Sequence, residues 1–431
     1  MTSRGARGPA IPVPIRAALV LAALWLVLAA GPARAVTVRV VDAATGRGIA
    51  DATVVLGGSV LSADEAGRVR LDDRPGRLFV RAPGYRAGAF AADPLSPDQA
   101  LPLVPFAPRA LYLSSYGVGS ATLRGAVLAL IRDAGLNAVV VDVKGDRGLV
   151  PYPSAIPLAG AIGARAMTTI PDLAALVAML HGRGLYAIAR IVVFRDLPLA
   201  SGRPDLAVRR ADGAPLRDRE GMAWTDPFQP AVRAYNIDIA VEAARAGFDE
   251  IQLDYVRFPD GPAQLRFLVP ATQASRLAAI AGFLAEARGR LLPYNVYLAA
   301  DIFGYVCWNL DDTGIGQRLA ELAPHVDYLS PMLYPSGFLF GIPGYRDPVG
   351  HPYDIVYRSL EMARRRLGIS PLRFRPWLQA FRDYAFDRRV FGPAEIAAQI
   401  RGATDFGSDG WMLWNPRNVY DAAALGHAPP S

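Results

Sequence analysis

The sequence predicts an α/β protein: a (β/α)8 barrel of the TIM type behind a small N-terminal all-β sandwich. Three observations predict it. From Arg109 onward, strand-like and helix-like segments alternate eight times, at roughly forty residues per unit, as in a closed parallel barrel. Between Val36 and Ala107, short alternating segments and turns recur without helical periodicity, the pattern of a small sandwich. The proline-rich stretch Leu101-Pro102-Leu103-Val104-Pro105-Phe106-Ala107-Pro108 joins the two. A doubly wound open sheet is the alternative for the second part, but Gly117-Val118-Gly119 is no dinucleotide fingerprint.

Residues 1–35 read as a signal peptide. Arg4, Arg7 and Arg16 precede the apolar run Ala17–Ala30, and Ala33-Arg34-Ala35 is a small-residue cleavage site. The expectation is an exported, periplasmic or extracellular protein. If the segment is not cleaved, it becomes an N-terminal membrane anchor; no later run is long and apolar enough to span a bilayer. Cys307 is the only cysteine, so stability must come from a large core, not from disulfides.

The predicted sandwich, 36–107, has strands at Val36–Val41, Ala52–Leu56, Arg68–Leu71 and Leu78–Ala82. Turns at Asp42–Gly46, Gly57-Gly58, Ala63–Gly67 and Pro83-Gly84-Tyr85 separate or close them, with Asp42 and Asp64 as turn formers. In order, these motifs resemble the carboxypeptidase regulatory-like, or transthyretin-like, modules, which implies an accessory role.

The barrel, 108–425, has expected strands at Ala110–Ser115, Ala138–Val143, Tyr186–Phe194, Phe248–Arg257, Val296–Asp301, Val326–Leu333, Phe374–Gln379 and Gly410–Trp414. Expected helices are Thr122–Ala134, Asp172–Arg183, Ala231–Ala246, Gln273–Arg288, a short one near Gly316–Leu322, Ile355–Arg366 and Ala394–Arg401. Barrels keep their chemistry at the C-terminal ends of the strands. Those ends carry Asp142 and Lys144, Arg190 and Asp196, Asp254 and Arg257, Asp301, Tyr334, Trp377 and Gln379, and Trp414 and Asn415, with Trp224 in the long loop after the third strand.

Carboxylates, guanidiniums, amides and aromatic rings around one mouth suit a carbohydrate. Rings stack on sugar faces and the polar groups bond the hydroxyls. Two carboxylates flanking a glycosidic bond are the minimum for its hydrolysis, and Asp254 and Asp301 end neighbouring strands. The expected catalytic set is Asp254, Asp301 and Arg257, with Arg257 keeping Asp254 ionised. Asp142, Lys144, Arg190, Asp196, Trp224, Tyr334, Trp377, Gln379, Trp414 and Asn415 are expected to bind substrate.

Several segments occur together and in order: Asn137–Asp146, Ile188–Asp196, Asp249–Asp260, Ala300–Tyr305, Asp327–Ser336 and Gly410–Pro416. As a set they resemble the bacterial "putative glycoside hydrolase domain" family, formerly a domain of unknown function. The resemblance implies a barrel distantly related to α-amylase-like glycosidases, with Asp254 at the nucleophile position and Asp301 at the general-acid position. It departs from α-amylases in having Asp, not Glu, as the acid.

No cofactor and no metal site are expected: His181, His325, His351 and His427 form no HxH or HExxH pattern. No GxSxG elbow marks a triad hydrolase. The charge of +7 is scattered, so nucleic acid is not an expected partner. The expected partner is a polysaccharide or oligosaccharide, and oligomeric state is left open. The competing reading is a non-catalytic polysaccharide-binding protein of the envelope on the same scaffold. The export reading predicts that N-terminal sequencing of envelope-derived protein starts at Val36; a start at Met1 would establish the uncleaved anchor instead.

Overall fold

The computed structural model describes residues 35–72, 74–260 and 264–425. The expected signal peptide falls, apart from Ala35, outside them. No described helix is long and apolar enough to cross a membrane.

The N-terminal region has seven strands: β1 Ala35–Asp42, β2 Thr53–Leu56, β3 Ser59–Ser62, β4 Arg68–Asp72, β5 Gly76–Arg81, β6 Gly88–Ala92 and β7 Gln99–Leu103. They form two sheets, β4-β1-β7 and β3-β2-β5-β6. Alternate side chains such as Val38, Val40, Val54, Leu78 and Leu101 meet in one apolar core. The strand period of two sends one face inward and leaves Arg68 and Arg70 exposed on β4. Three strands, β3, β6 and β7, were not expected. The start of the proline-rich joint is not a linker: Leu101–Leu103 belongs to β7, which pairs in parallel with β1. Pro102 is tolerated because β7 is an edge strand.

The remainder closes into an eight-stranded parallel barrel: β8 Arg109–Leu113, β9 Ala138–Lys144, β10 Tyr186–Val192, β12 Glu250–Asp254, β14 Tyr297–Phe303, β15 Tyr328–Met332, β16 Trp377–Gln379 and β17 Trp411–Trp414. Two short strands, β11 Arg209–Arg210 and β13 Leu265–Arg266, pair outside the barrel and tie two long loops together. All eight barrel strands overlap their expected positions. The fourth is shorter than expected because Tyr255 takes a left-handed φ of 50°, which ends the strand straight after Asp254.

Parity explains the layering. Leu111, Val139, Ile191, Leu253 and Ile302 point outward into the large core under the helices. Val140, Ile188, Ala299 and Met412 point inward and fill the barrel's middle. Beneath them, Arg375 pairs with Glu250 and, at 2.8 Å, with Asp409. Above them lie the carboxylates of the mouth.

The β-rich region docks on the strands' N-terminal end. Tyr297 Oη donates to the Ala82 carbonyl at 2.8 Å and accepts from the Ala82 N–H at 3.2 Å. The Gly84 N–H lies 3.3 Å from both Tyr328 Oη and Asp409 Oδ2. Arg81 stands 3.5 Å from Asp327, buried against the barrel. The C-terminal end of the strands is therefore left uncovered by this region, and the N-terminal end is sealed. Tyr297→Phe strands the Ala82 amide in a buried site, while the Ala82 carbonyl keeps the Tyr85 N–H. It should cost about 1–3 kcal/mol in urea unfolding of the whole chain, whereas a loosely tethered module would leave the value unchanged.

Candidate active site

Arg190 organises the mouth. Residues 186, 188 and 190 share the inward face of β10, so the guanidinium reaches the barrel axis. It is buried, and it donates to three carboxylates: Nη1 to Asp142 at 2.7 Å, Nη2 to Asp146 at 2.7 Å, and Nε and Nη2 to Asp254 at 2.9 and 2.6 Å. Its face lies 4.5 Å from the Trp414 ring centroid. A planar fork with five donors suits this fan of acceptors, where lysine would offer a single point. Asp146 and Asp254 accept from the same nitrogen, so their two oxygens can be no further apart than those two bonds laid end to end.

Asp254 is an acceptor throughout. Oδ2 takes the Arg190 contacts, and Oδ1 takes the Tyr255 N–H at 2.6 Å. The left-handed backbone at Tyr255 accompanies that bond, a strained conformation of the kind that collects at functional sites. Asp301 differs. Oδ1 accepts from the Trp377 indole N–H at 2.9 Å, and Oδ2 has no partner among the described residues. Burial first, then the neighbouring Asp254 charge, push its carboxyl well above the usual range.

A cavity of about 250 Å³ opens at this end. Asp146, Arg190 and Asp254 supply its charged wall, and Trp377, Trp414, Tyr334 and Tyr384 supply aromatic surface. Asp301 lies just beneath this lining. Phe303 and Tyr384 are partly exposed at the rim.

The structure brings Asp142, Arg190, Asp254, Asp301, Tyr334, Trp377 and Trp414 together. It corrects other expectations. Arg257 is not the cation on Asp254: its Nη1 donates to Asp260 and to the Phe258 carbonyl, and its face covers Trp224. Three residues beyond Asp254, in a chain that has left the strand, it is turned to the rim, and Arg190 holds Asp254 instead. Lys144 and Asp196 do not face substrate. Lys144 Nζ pairs with Asp196 at 2.7 Å and donates to the Val192 and Val193 carbonyls and to Asn236, fully buried behind the barrel wall. The cause is a ladder irregularity: Arg190 pairs with Asp142 but Ile191 with Lys144, so β9 holds an extra residue and the alternation flips.

Gln379 is spent on Ser336 and the Phe381 carbonyl, and Asn415 on the Ala380 and Val419 carbonyls; both are loop ties. Trp224 is buried, with its indole N–H on Asp218, and borders a second cavity rather than the first. Tyr255 was not among the expected site residues. A positive φ at a tyrosine leaves no mark in sequence.

A parallel barrel whose strand ends gather carboxylates and aromatic rings around one guanidinium can accommodate a sugar and the carboxyls its hydrolysis requires. The chain belongs to the family described as "putative glycosyl hydrolase domain", whose pattern matches residues 110–420, and it is a glycoside hydrolase by that membership. No curated protein matches it. A hypothetical protein of Ruminiclostridium thermocellum is 37% identical over 44% of this chain and 96% of its own, with a TM-score of 0.40. The PgaB (BpsB) glycoside hydrolase domain of Bordetella bronchiseptica shares the fold at a TM-score of 0.52 and 14% identity, over 75% of this chain and 99% of its own. A β-galactosidase from Marinomonas ef1 does so at 0.51 and 12%, over 74% and 58%.

Burial, and then the nearby Asp146 charge, raise Asp142 to about 6, despite Arg190. The fold therefore binds this proton more tightly than the unfolded chain does. The group's contribution is full below its ordinary value of 3.8 and is lost as pH rises through about 6. Asp142→Asn lacks that loss. Its stability relative to wild type should improve between about pH 4 and pH 7 in urea unfolding, and a pH-independent difference would refute the shift.

Proposed function

We propose that the protein is an exported enzyme that hydrolyses glycosidic bonds in a polysaccharide or cell-envelope glycan, with Asp254 as the charged carboxylate and Asp301 as the proton donor. The observation that carries this reading is the contrast between two neighbouring carboxyls. Asp254 accepts from a guanidinium and a backbone N–H, while Asp301 is buried beside it with one oxygen unpartnered.

A glycosidic oxygen leaves poorly unless it is protonated, and the transition state resembles an oxocarbenium ion. An acid that keeps its proton near neutral pH, next to an anion that faces the developing positive charge, meets both demands. Trp377 decides which oxygen of Asp301 carries the proton. Its indole N–H occupies Oδ1 and needs a lone pair there, which leaves Oδ2 as the hydroxyl. Arg190 holds the Asp254 carboxylate in place, and Arg257 belongs to the rim of the binding cleft. Trp377, Trp414 and Tyr334 offer the rings on which a sugar stacks. The N-terminal β-rich region, read as an accessory module, braces the barrel from below.

A digestion screen of the mature chain on envelope glycans and oligosaccharides tests this and separates an enzyme from a receptor. Asp254→Asn should remove nearly all turnover of a folded protein that still binds sugar. Asp301→Asn should lose about 10²–10⁴-fold on natural linkages and recover in part on substrates with activated leaving groups. Full activity in Asp254→Asn would overturn the assignment.

A further inference from the structure

A second cavity, of about 650 Å³, adjoins the first and shares Tyr255 and Arg257 with it. One side is a hairpin in the long loop after β10, closed by pairing of Arg217 with Ala223. The hairpin is pinned from inside. Asp218 Oδ1 accepts the N–H groups of Glu220 and Met222, and Oδ2 accepts Arg195 Nε at 2.8 Å and the Trp224 indole at 3.2 Å. Arg195 in turn reaches the Asp146 carbonyl at 3.4 Å, which ties the hairpin to the loop that carries a wall of the first cavity. The pairing of β11 with β13 braces the same loop from the other side. This is a built wall.

Its charge is unbalanced. Arg195, Arg217, Arg219 and Arg257 line the second cavity against Asp218, Glu220 and Asp260. Asp218 is saturated by its four bonds, and Glu220 is taken by Arg195. Arg257 has only the exposed Asp260, a rim pair of the kind that contributes little and exchanges readily. Arg217 donates to the Gly221 carbonyl, and neither it nor Arg219 has a carboxylate partner among the described residues. Guanidinium forks match planar or tetrahedral oxyanions.

We propose that the second cavity is a further subsite of the same cleft and that Arg217 and Arg219, with Arg257 at the boundary, bind an anionic substituent of the glycan, a uronic carboxylate or a phosphate group. The proposal rests on the glycosidase reading and adds a substrate class to it: acidic glycans. Tyr255 forms the ridge between the two positions, so the charged sugar lies beyond the bond that Asp254 serves.

Arginine modification by phenylglyoxal, mapped by mass spectrometry on the full chain, tests this without needing turnover. Glucuronate, inorganic phosphate and glucose serve as probes, and the exposed Arg70 in the N-terminal region is the internal reference. At about twice its Kd, a bound anion reduces modification of Arg217 and Arg219 about threefold relative to Arg70. Protection by glucuronate alone identifies the carboxylate, and protection by phosphate alone identifies the phosphate. Arg219→Gln should weaken protection of Arg217. Lack of protection by either anion, equal protection by glucose, or full protection of Arg217 in Arg219→Gln would overturn the subsite. Failure of the glycosidase reading shows separately, as absence of cleavage in the digestion screen.

Discussion

One guanidinium inside a barrel sets the terms for everything at its mouth. Arg190 is fully enclosed and surrounded by Asp142, Asp146 and Asp254. Burying such a group is tolerable only with well-made partners, and removing it would leave three carboxylates crowded without a cation. The arrangement fixes Asp254 against the cavity and leaves Asp301, on the next strand, without a cation of its own. A single positive charge shared unequally among neighbours, together with burial, thus gives the two aspartates different surroundings. The aromatic rings complete the effect: Trp414 lies over the guanidinium, stacks on Tyr112 with centroids 3.9 Å apart, and walls the cavity with Trp377.

The other end of the barrel shows the complementary use of charge. Arg375, Glu250 and Asp409 are as deeply buried, but they are covered by the N-terminal region, through Gly84 on Asp409 and Ala82 on Tyr297. Charge at one end borders a cavity, and charge at the other is sealed under a docked sheet and serves attachment. Barrels commonly divide their two faces in this way.

What the sequence could show follows the same physics. Strand positions and the two-part organisation were legible because hydrophobic period and turn residues are local properties. Asp254, Asp301, Arg190 and the mouth aromatics were legible because parity along a strand decides which residues face inward. The failures at Lys144 and Arg257 share one cause, a local break in that parity. An extra residue in β9 turned Lys144 away from the axis, and the left-handed Tyr255 turned Arg257 to the rim. Neither break has a glycine or proline to announce it. Gln379 and Asn415 failed for another reason: amides at strand ends hold loops as readily as they bind ligands. Strand β7 was hidden by prolines that suit an edge.

The central claim is that Asp301, buried beside Asp254 and without an ion pair of its own, holds a proton that a glycosidic oxygen can take. Infrared difference spectroscopy of wild type against Asp301→Asn at neutral pH reads this directly. The account predicts a protonated-carboxyl C=O band in the wild type that vanishes in Asp301→Asn and persists in Asp254→Asn. A wild type without that band, or a band that survives Asp301→Asn, would contradict it.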